Sequence, residues 1–207
     1  MQAIVVDHTN SSFYAEELDQ FHFQRHRVYA EELGWVPAVP SRREFDPFDT
    51  SDAVFILFME EGRLIAGSRL IETDRPHLVS EVFPDIFTIA PIIRSRAVVE
   101  WTRGFVIPER RGDIRLLAQC CAAVMEYCIE HGYSQIGGIQ DTKWLALWRK
   151  MRWNVRIHGE AVMMGEDPWL PAYFDVSQEA MANARVFGRL SSSILVDSRR
   201  LNAPKVA

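Results

Sequence analysis

The chain has 207 residues, 48% hydrophobic and 25% charged, with a formal net charge of −5. That is room for one α/β domain with a substantial core, in a composition that excludes disorder. The acidic balance argues against a nucleic-acid partner, which selects a basic protein.

The opening MQAIVVDHTN lacks the charged start and long apolar run of a signal peptide. No apolar stretch reaches the ~20 residues needed to cross a bilayer. The expectation is a cytoplasmic protein with no membrane partner. Gln2–Val6 reads as a short edge strand. Ser11 and Ser12 are positioned to cap a helix running to about Leu33, where Gly34 ends it. From Pro37 to Thr50 the chain has three prolines and no periodicity, so it is an irregular excursion. Ala53–Met59 and Leu64–Ile71 are two strands joined by the turn Glu60–Arg63, which contains Gly62.

Val98–Ile107 is a further apolar strand, and Asp113 opens a helix to about His131. Leu117, Cys121, Val124, Met125 and Cys128 form its apolar face, at the spacing of a helix packed on a sheet. The cysteines Cys120, Cys121 and Cys128 fit neither a disulfide framework nor a zinc site, and read as small core residues in a reduced protein. A strand at Ser134–Ile139 and a helix from Thr142 to Met151 follow. Strand-like segments lie near Val155–His158, Ala161–Met164 and Ala172–Val176, and the polar tail beyond about 191 is expected to fray. Strands alternating with helices make the class α/β, in a single domain over residues 1–207.

Charge is embedded in segments that otherwise read as core. Arg69 interrupts the strand GSRLI, and Glu100 and Arg103 sit within VVEWTRGFVI. Gly104 makes a bulge plausible there. Asp46 and Asp49 occupy the excursion as EFDPFD, and Arg25 lies one turn before Tyr29, with Trp35 beyond the helix end. Any one of these fits a structural salt bridge. Six charges of balanced sign beside aromatic rings also suit a ligand that is zwitterionic and cationic, with a planar base to stack on.

At these residues the chain resembles the LuxI-type autoinducer synthases, which make acyl-homoserine lactones for quorum sensing. Arg25-His-Arg-Val-Tyr29 and Trp35 look like the family's R-x-x-x-F followed by W. Asp46 and Asp49 look like its paired aspartates, and Arg69, Phe83 and Glu100-Trp-Thr-Arg103 complete the series. Order and approximate spacing hold from about residue 20 to 105, and more loosely to about 190. Tyr29 stands where the family usually has Phe, and Gly104 where many members have Phe. The run including ERRG and EWTR looks most like the acyl-CoA-dependent branch of isovaleryl- and aryl-homoserine lactone synthases.

The resemblance implies a GNAT-like three-layer fold, with a twisted mixed sheet splayed at its middle and flanked by helices. It also implies a reaction in which the amine of S-adenosylmethionine attacks an acyl thioester and the substrate then closes to a lactone, releasing methylthioadenosine. S-adenosylmethionine and acyl-CoA would be substrates, with no tightly bound cofactor and no metal; acyl carrier protein is the less favoured acyl donor. Glu100, Arg103, Asp46, Asp49, Arg25 and Arg69 are then the catalytic candidates, with Glu100 as base or orienting group. Trp35, Phe83, Asp46, Arg103 and Thr102 would meet S-adenosylmethionine.

For the acyl pocket the candidates are Gly104, Phe105, Met125, Ile139, Trp144, Trp148 and Met164, each equally readable as core. Gly104 with Gly137 and Gly138 points to a pocket wide near the reacting centre and closed by tryptophans, which suits a short branched or planar acyl group. Arg110, Arg111 and Gly112 lead from a strand into a helix; they fit a pyrophosphate loop or a plain helix start. Two other functions stay open: a generic GNAT N-acetyltransferase, and a non-catalytic module that binds S-adenosylmethionine or an acyl ligand.

Overall fold

A computed structural model of the chain describes residues 1–196. The strands are β1 (Gln2–Val6), β2 (Val54–Glu60), β3 (Arg63–Glu72), β4 (Val98–Val106), β5 (Gln135–Asp141), β6 (Val155–Ile157), β7 (Val162–Met164), β8 (Asp167–Asp175) and β9 (Leu195–Val196). The helices are α1 (Ala15–His26), α2 (Leu78–Val82), α3 (Ile114–Glu130), α4 (Leu145–Lys150) and α5 (Gln178–Gly188). This is the expected mixed α/β class, with the helices flanking a mixed sheet.

The chain divides into two compact units: 1–69 with 103–113 and the described residues from 192 on, and 70–102 with 114–191. Strands β3 and β4 each run through both. In the first unit β1 pairs antiparallel with β2, from Gln2↔Met59 to Val6↔Phe55, and parallel with β9. Ile56, Leu57 and Phe58 are successive buried residues, so β2 is covered on both faces and reads as a continuous apolar run. Helix α1 sets Phe21 against Phe55 and Phe105, with ring centroids 5.3 and 5.5 Å away. Gly67 permits this approach: a Cβ there would lie 2.6 Å from the Phe21 ring.

The second unit orders its strands β6-β8-β5-β4, with β7 also on β8. Helices α3 and α5 pack together, and Gln119 Nε2 donates to the Gly188 carbonyl at 2.9 Å. The three cysteines are free and buried on α3, as expected of core residues.

Four expectations need correction. Ser11 and Ser12 do not cap α1, which starts at Ala15 without a side-chain cap; Asp7, Thr9 and Asn10 build the preceding turn through their own side-chain bonds. Strand β8 starts five residues before Ala172, because Pro168 and Pro171 hid its first half. Helix α5 went unpredicted: its buried residues Ala180, Ala184 and Gly188 recur every four positions but are too small to read as an apolar stripe, although Ser177 caps it through Ala180 N–H. Within the tail expected to fray, Leu195 and Val196 pair with Ala3 and Ile4, while residues 197–207 lie outside the described region.

Candidate active site

The predicted charges of the first unit meet in one buried network. Arg25 comes from the last turn of α1, Arg69 from β3 and Arg103 from β4; Glu44, Asp46 and Asp49 come from the proline-rich excursion. Arg25 and Arg69 are 0% exposed and Arg103 12%. Arg25 Nε donates to Glu44, and its Nη1 sits 2.8 and 3.0 Å from the two Asp49 oxygens. Arg69 Nη1 lies 2.5 Å from Asp46 Oδ1 and 2.8 Å from Asp49 Oδ1. Arg103 Nη2 reaches Asp46 Oδ2 at 2.7 Å and Glu44 Oε1 at 3.2 Å.

Three guanidinium groups thus face three carboxylates. Asp46 and Asp49 spend their oxygens on arginines and on backbone N–H groups: Asp49 Oδ2 accepts from Asp46 N and Asp46 Oδ1 from Phe48 N. Burial works against the Asp49 carboxylate, but Arg25 and Arg69 outweigh it and hold its pKa down at about 2. Asp49 and Glu44 push Arg25 above its ordinary value despite its burial. Glu44 is the network member that sequence reasoning missed. Its position two residues before Asp46, with exposed Phe45 between them, was the available signal.

Arg103 has φ 52°, a left-handed backbone inside a strand, where a bulge near Thr102–Gly104 was expected. Tyr29 secures the distortion: its hydroxyl donates to the Gly104 carbonyl at 2.9 Å, and Arg103 lies over its ring at 5.3 Å. Tyr29 belongs to a π-helical turn, Arg27–Glu32, that prolongs α1. Burial, its dominant influence, raises its phenol to about 12, so it stays a donor. The hydroxyl that a Phe would lack therefore has a structural use. Trp35 stacks on Tyr29 with centroids 5.6 Å apart and is 49% exposed. Arg103 Nε has no hydrogen-bond partner among the described residues.

In the second unit Glu100 is fully buried on β4, and both of its oxygens are engaged. They accept the N–H groups of Leu78 (3.0 Å) and Val79 (2.7 Å), the first two residues of α2. His77 and Ser80 complete the cap. Phe83 is the residue that ends α2, and it is half-buried. Thr102 is buried on the same strand as Glu100.

The acyl-pocket candidates separate. Trp148 is buried and stacks on Trp153 at 5.1 Å, with Trp101 6.2 Å and Trp144 6.3 Å away. Its indole N–H donates to Gln140 at 2.7 Å. Met125 is fully buried on α3, Ile139 faces Pro171 across β5 and β8, and Met164 pairs with Asp167 on β7. In the first unit Phe105 is buried against Phe21, and Gly104 is exposed. Gly137 does not widen a pocket: a Cβ there would sit 2.3 Å from the Ala172 carbonyl oxygen and 2.7 Å from the Tyr173 ring. Neighbouring β8 fills that space. Of the pyrophosphate candidates, Arg110 pairs with Glu60 (2.5 Å) and Asp113 (3.2 Å), Arg111 pairs with Glu32, and Gly112 takes φ 80° before α3.

Residues 9–184 match the family model described as autoinducer synthase. The chain belongs to the autoinducer synthase family. This synthase is 31% identical to the isovaleryl-homoserine lactone synthase of Bradyrhizobium diazoefficiens, over 94% of this chain and 89% of that one. Its fold superimposes with a TM-score of 0.89 on a CoA-dependent acyl-homoserine lactone synthase solved with SAM and isopentyl-CoA, at 28% identity over 99% of this chain and 95% of that one. An acyl-CoA N-acyltransferase from Pseudomonas aeruginosa shares the fold alone, with a TM-score of 0.56 at 13% identity over 84% of this chain and 97% of that one. The synthase is therefore an acyltransferase of the acyl-homoserine-lactone type, on a GNAT-like fold. No helix among the described residues is long and apolar enough to cross a membrane.

Proposed function

We propose that the synthase transfers a short branched acyl group such as isovaleryl, or an aryl group, from acyl-CoA to S-adenosylmethionine. The observation that carries this reading is the likeness, over nearly the whole chain, to an isovaleryl-homoserine lactone synthase. The structural likeness to a CoA-dependent synthase supports CoA over acyl carrier protein as the carrier. The enzyme acts in the cytoplasm on small molecules.

In the first step the amine nitrogen attacks the thioester carbonyl, the C–S bond breaks, and the amine's proton leaves with the CoA thiol. In the second the carboxylate oxygen attacks the γ-carbon. The bond from that carbon to the sulfonium breaks, releasing neutral methylthioadenosine and closing the lactone. The sulfonium is a good leaving group, so orientation is the main task, and orientation can supply several kcal/mol.

Arg103 is the carboxylate's partner. It is the least buried of the three arginines and has an unspent Nε donor. Asp46 and Asp49 act chiefly on the arginines, fixing where their charges stand. Removing six ions from water costs several kcal/mol each before attraction offsets it, so the network is better understood as an oriented charge array than as a stabiliser. Trp35, half-exposed, offers a face to adenine and to the sulfonium. Glu100 orients the amine while holding α2.

Purified protein, given S-adenosylmethionine and a panel of isovaleryl, straight-chain and aromatic thioesters on CoA and on carrier protein, tests the reading by mass spectrometry. The expected result is acyl-homoserine lactone and methylthioadenosine in equal amounts, best from isovaleryl- or aryl-CoA. Acylated amine without methylthioadenosine would make it a generic N-acyltransferase. Saturable turnover only with acyl carrier protein would overturn the carrier assignment.

A further inference from the structure

A cross-strand row in the second unit carries a polar group with no assigned task. Glu100 on β4 pairs with Gly137 on β5, Gly137 with Tyr173 on β8, and Tyr173 with Arg156 on β6. Residues in register point to the same face of a sheet. Gly137 has no side chain, and the Tyr173 ring occupies the space over it: a Cβ at 137 would lie 2.7 Å from Tyr173 Cδ1. The phenol therefore stands on the face that Glu100 shares.

Tyr173 is 0% exposed, and its hydroxyl has no hydrogen-bond partner among the described residues. A phenylalanine would fill the same volume without burying an O–H group, so the hydroxyl is a cost to folding that shape does not require. The charged and titratable groups around it are Glu100 on β4, Arg94, the His158 ring at 5.1 Å, and Arg156, which is paired with Asp175. Burial first, and then the Glu100 carboxylate, push the phenol well above its ordinary pKa, against an opposing pull from Arg94. It is a hydrogen-bond donor at any working pH.

We infer that the Tyr173 hydroxyl donates a hydrogen bond to the acyl carbonyl oxygen as the amine attacks it, which makes Tyr173 a catalytic residue on the face of Glu100. The inference rests on the proposed acyl transfer. When the amine adds to the thioester, nitrogen and the new oxyanion are bonded to one carbon. That intermediate needs an acceptor for N–H and a donor for O⁻, and the row supplies a carboxylate and an un-ionised phenol on one face. The hydrogen bond strengthens as charge builds on the oxygen, so it favours the transition state over the bound substrate. The proton stays on the tyrosine throughout, and the thiol still leaves with the amine's proton.

The experiment compares wild type with Tyr173→Phe, using S-adenosylmethionine and isovaleryl-CoA and following lactone and methylthioadenosine. The expected result is a fall of about 100- to 1000-fold in kcat, in line with loss of one oxyanion donor. The KM for S-adenosylmethionine should stay within about twofold, and the melting temperature should be equal or higher. A kcat within twofold of wild type would overturn the inference. If Tyr173→Phe folds poorly, 3-fluorotyrosine at position 173 decides: it keeps the shape and acidifies the phenol. A more acidic phenol is a stronger donor to the oxyanion, so kcat at neutral pH should then rise while the KM for S-adenosylmethionine holds, and an unchanged or lower kcat would overturn the inference. Wild type that makes no lactone from any thioester would instead remove the proposed acyl transfer itself, whatever the variant does.

Discussion

Arg103 reaches Asp46, Nη2 to Oδ2 at 2.7 Å, from a left-handed backbone position in the middle of strand β4. Such a backbone costs a non-glycine residue roughly 1–2 kcal/mol, and here it accompanies a side chain shared between Glu44 and Asp46. Lysine keeps the charge but loses the planar fork that spans both carboxylates. Arg103→Lys should lower kcat/KM for S-adenosylmethionine by at least about tenfold, equivalent to ~1.4 kcal/mol. The melting temperature should change little. Steady-state kinetics beside a thermal melt check this, and unchanged kcat/KM would take Arg103 out of the substrate site.

Asp49 makes stability depend on pH. Its carboxyl is held at about 2, against an ordinary 3.8, because Arg25 and Arg69 overcome the effect of burial. A folded pKa below the unfolded one gives stability that is complete above about pH 4 and is lost as pH falls towards 2. The size is about 2 kcal/mol at most. Asp175, which Arg156 also holds near 2, titrates in the same window, so the proper comparison is Asp49→Asn against wild type. Urea midpoints at pH 5, 3 and 2 should converge for the two proteins as the pH falls; parallel curves would contradict the assignment.

Glu100 has two tasks that one substitution separates. Glutamine can accept from Leu78 or Val79 but not from both, since its amide NH₂ then faces a second donor. Glu100→Gln should loosen the start of α2 by roughly 1–3 kcal/mol, seen as faster amide exchange at Val79. Turnover should fall with it. Faster exchange with near-normal turnover would leave Glu100 a cap and nothing more.

Glycine at 137 and glycine at 67 make a matched test of close approach. At Gly137 an added Cβ meets backbone, 2.3 Å from the Ala172 oxygen and 2.6 Å from Tyr173 Cα. At Gly67 it meets the Phe21 ring at 2.6 Å, and a side chain can shift where backbone cannot. Gly137→Ala should therefore destabilise by about 3 kcal/mol or more and Gly67→Ala by about 1–3 kcal/mol. The reverse order in thermal melts would mean that β8 is free to move away from β5.

Long periodic elements were legible because their signal is local. The face Leu117, Cys121, Val124 and Cys128 specifies α3, and the apolar run 54–59 specifies β2. Helix α5 was not legible, because Ala180, Ala184 and Gly188 pack by being small rather than apolar. Among the residues of the buried network, Arg25, Asp46, Asp49, Arg69 and Arg103 stood out as charges in apolar or aromatic settings. Glu44 did not, since a carboxylate in SRREFD looks like surface until its partners are known.

By itself the sequence determined the class of the fold, the family and most of the charges that meet in the buried network, because periodicity and residue type are written into neighbouring positions. Tertiary structure decided which carboxylate meets which guanidinium, that Glu100 grips the start of α2, and that β8 rather than empty space lies over Gly137. Those outcomes depend on groups tens of residues apart, such as Arg103 with Glu44 or Gly137 with Tyr173. Distances of a few ångströms between them exist only after the strands have registered and the backbone at Arg103 has turned.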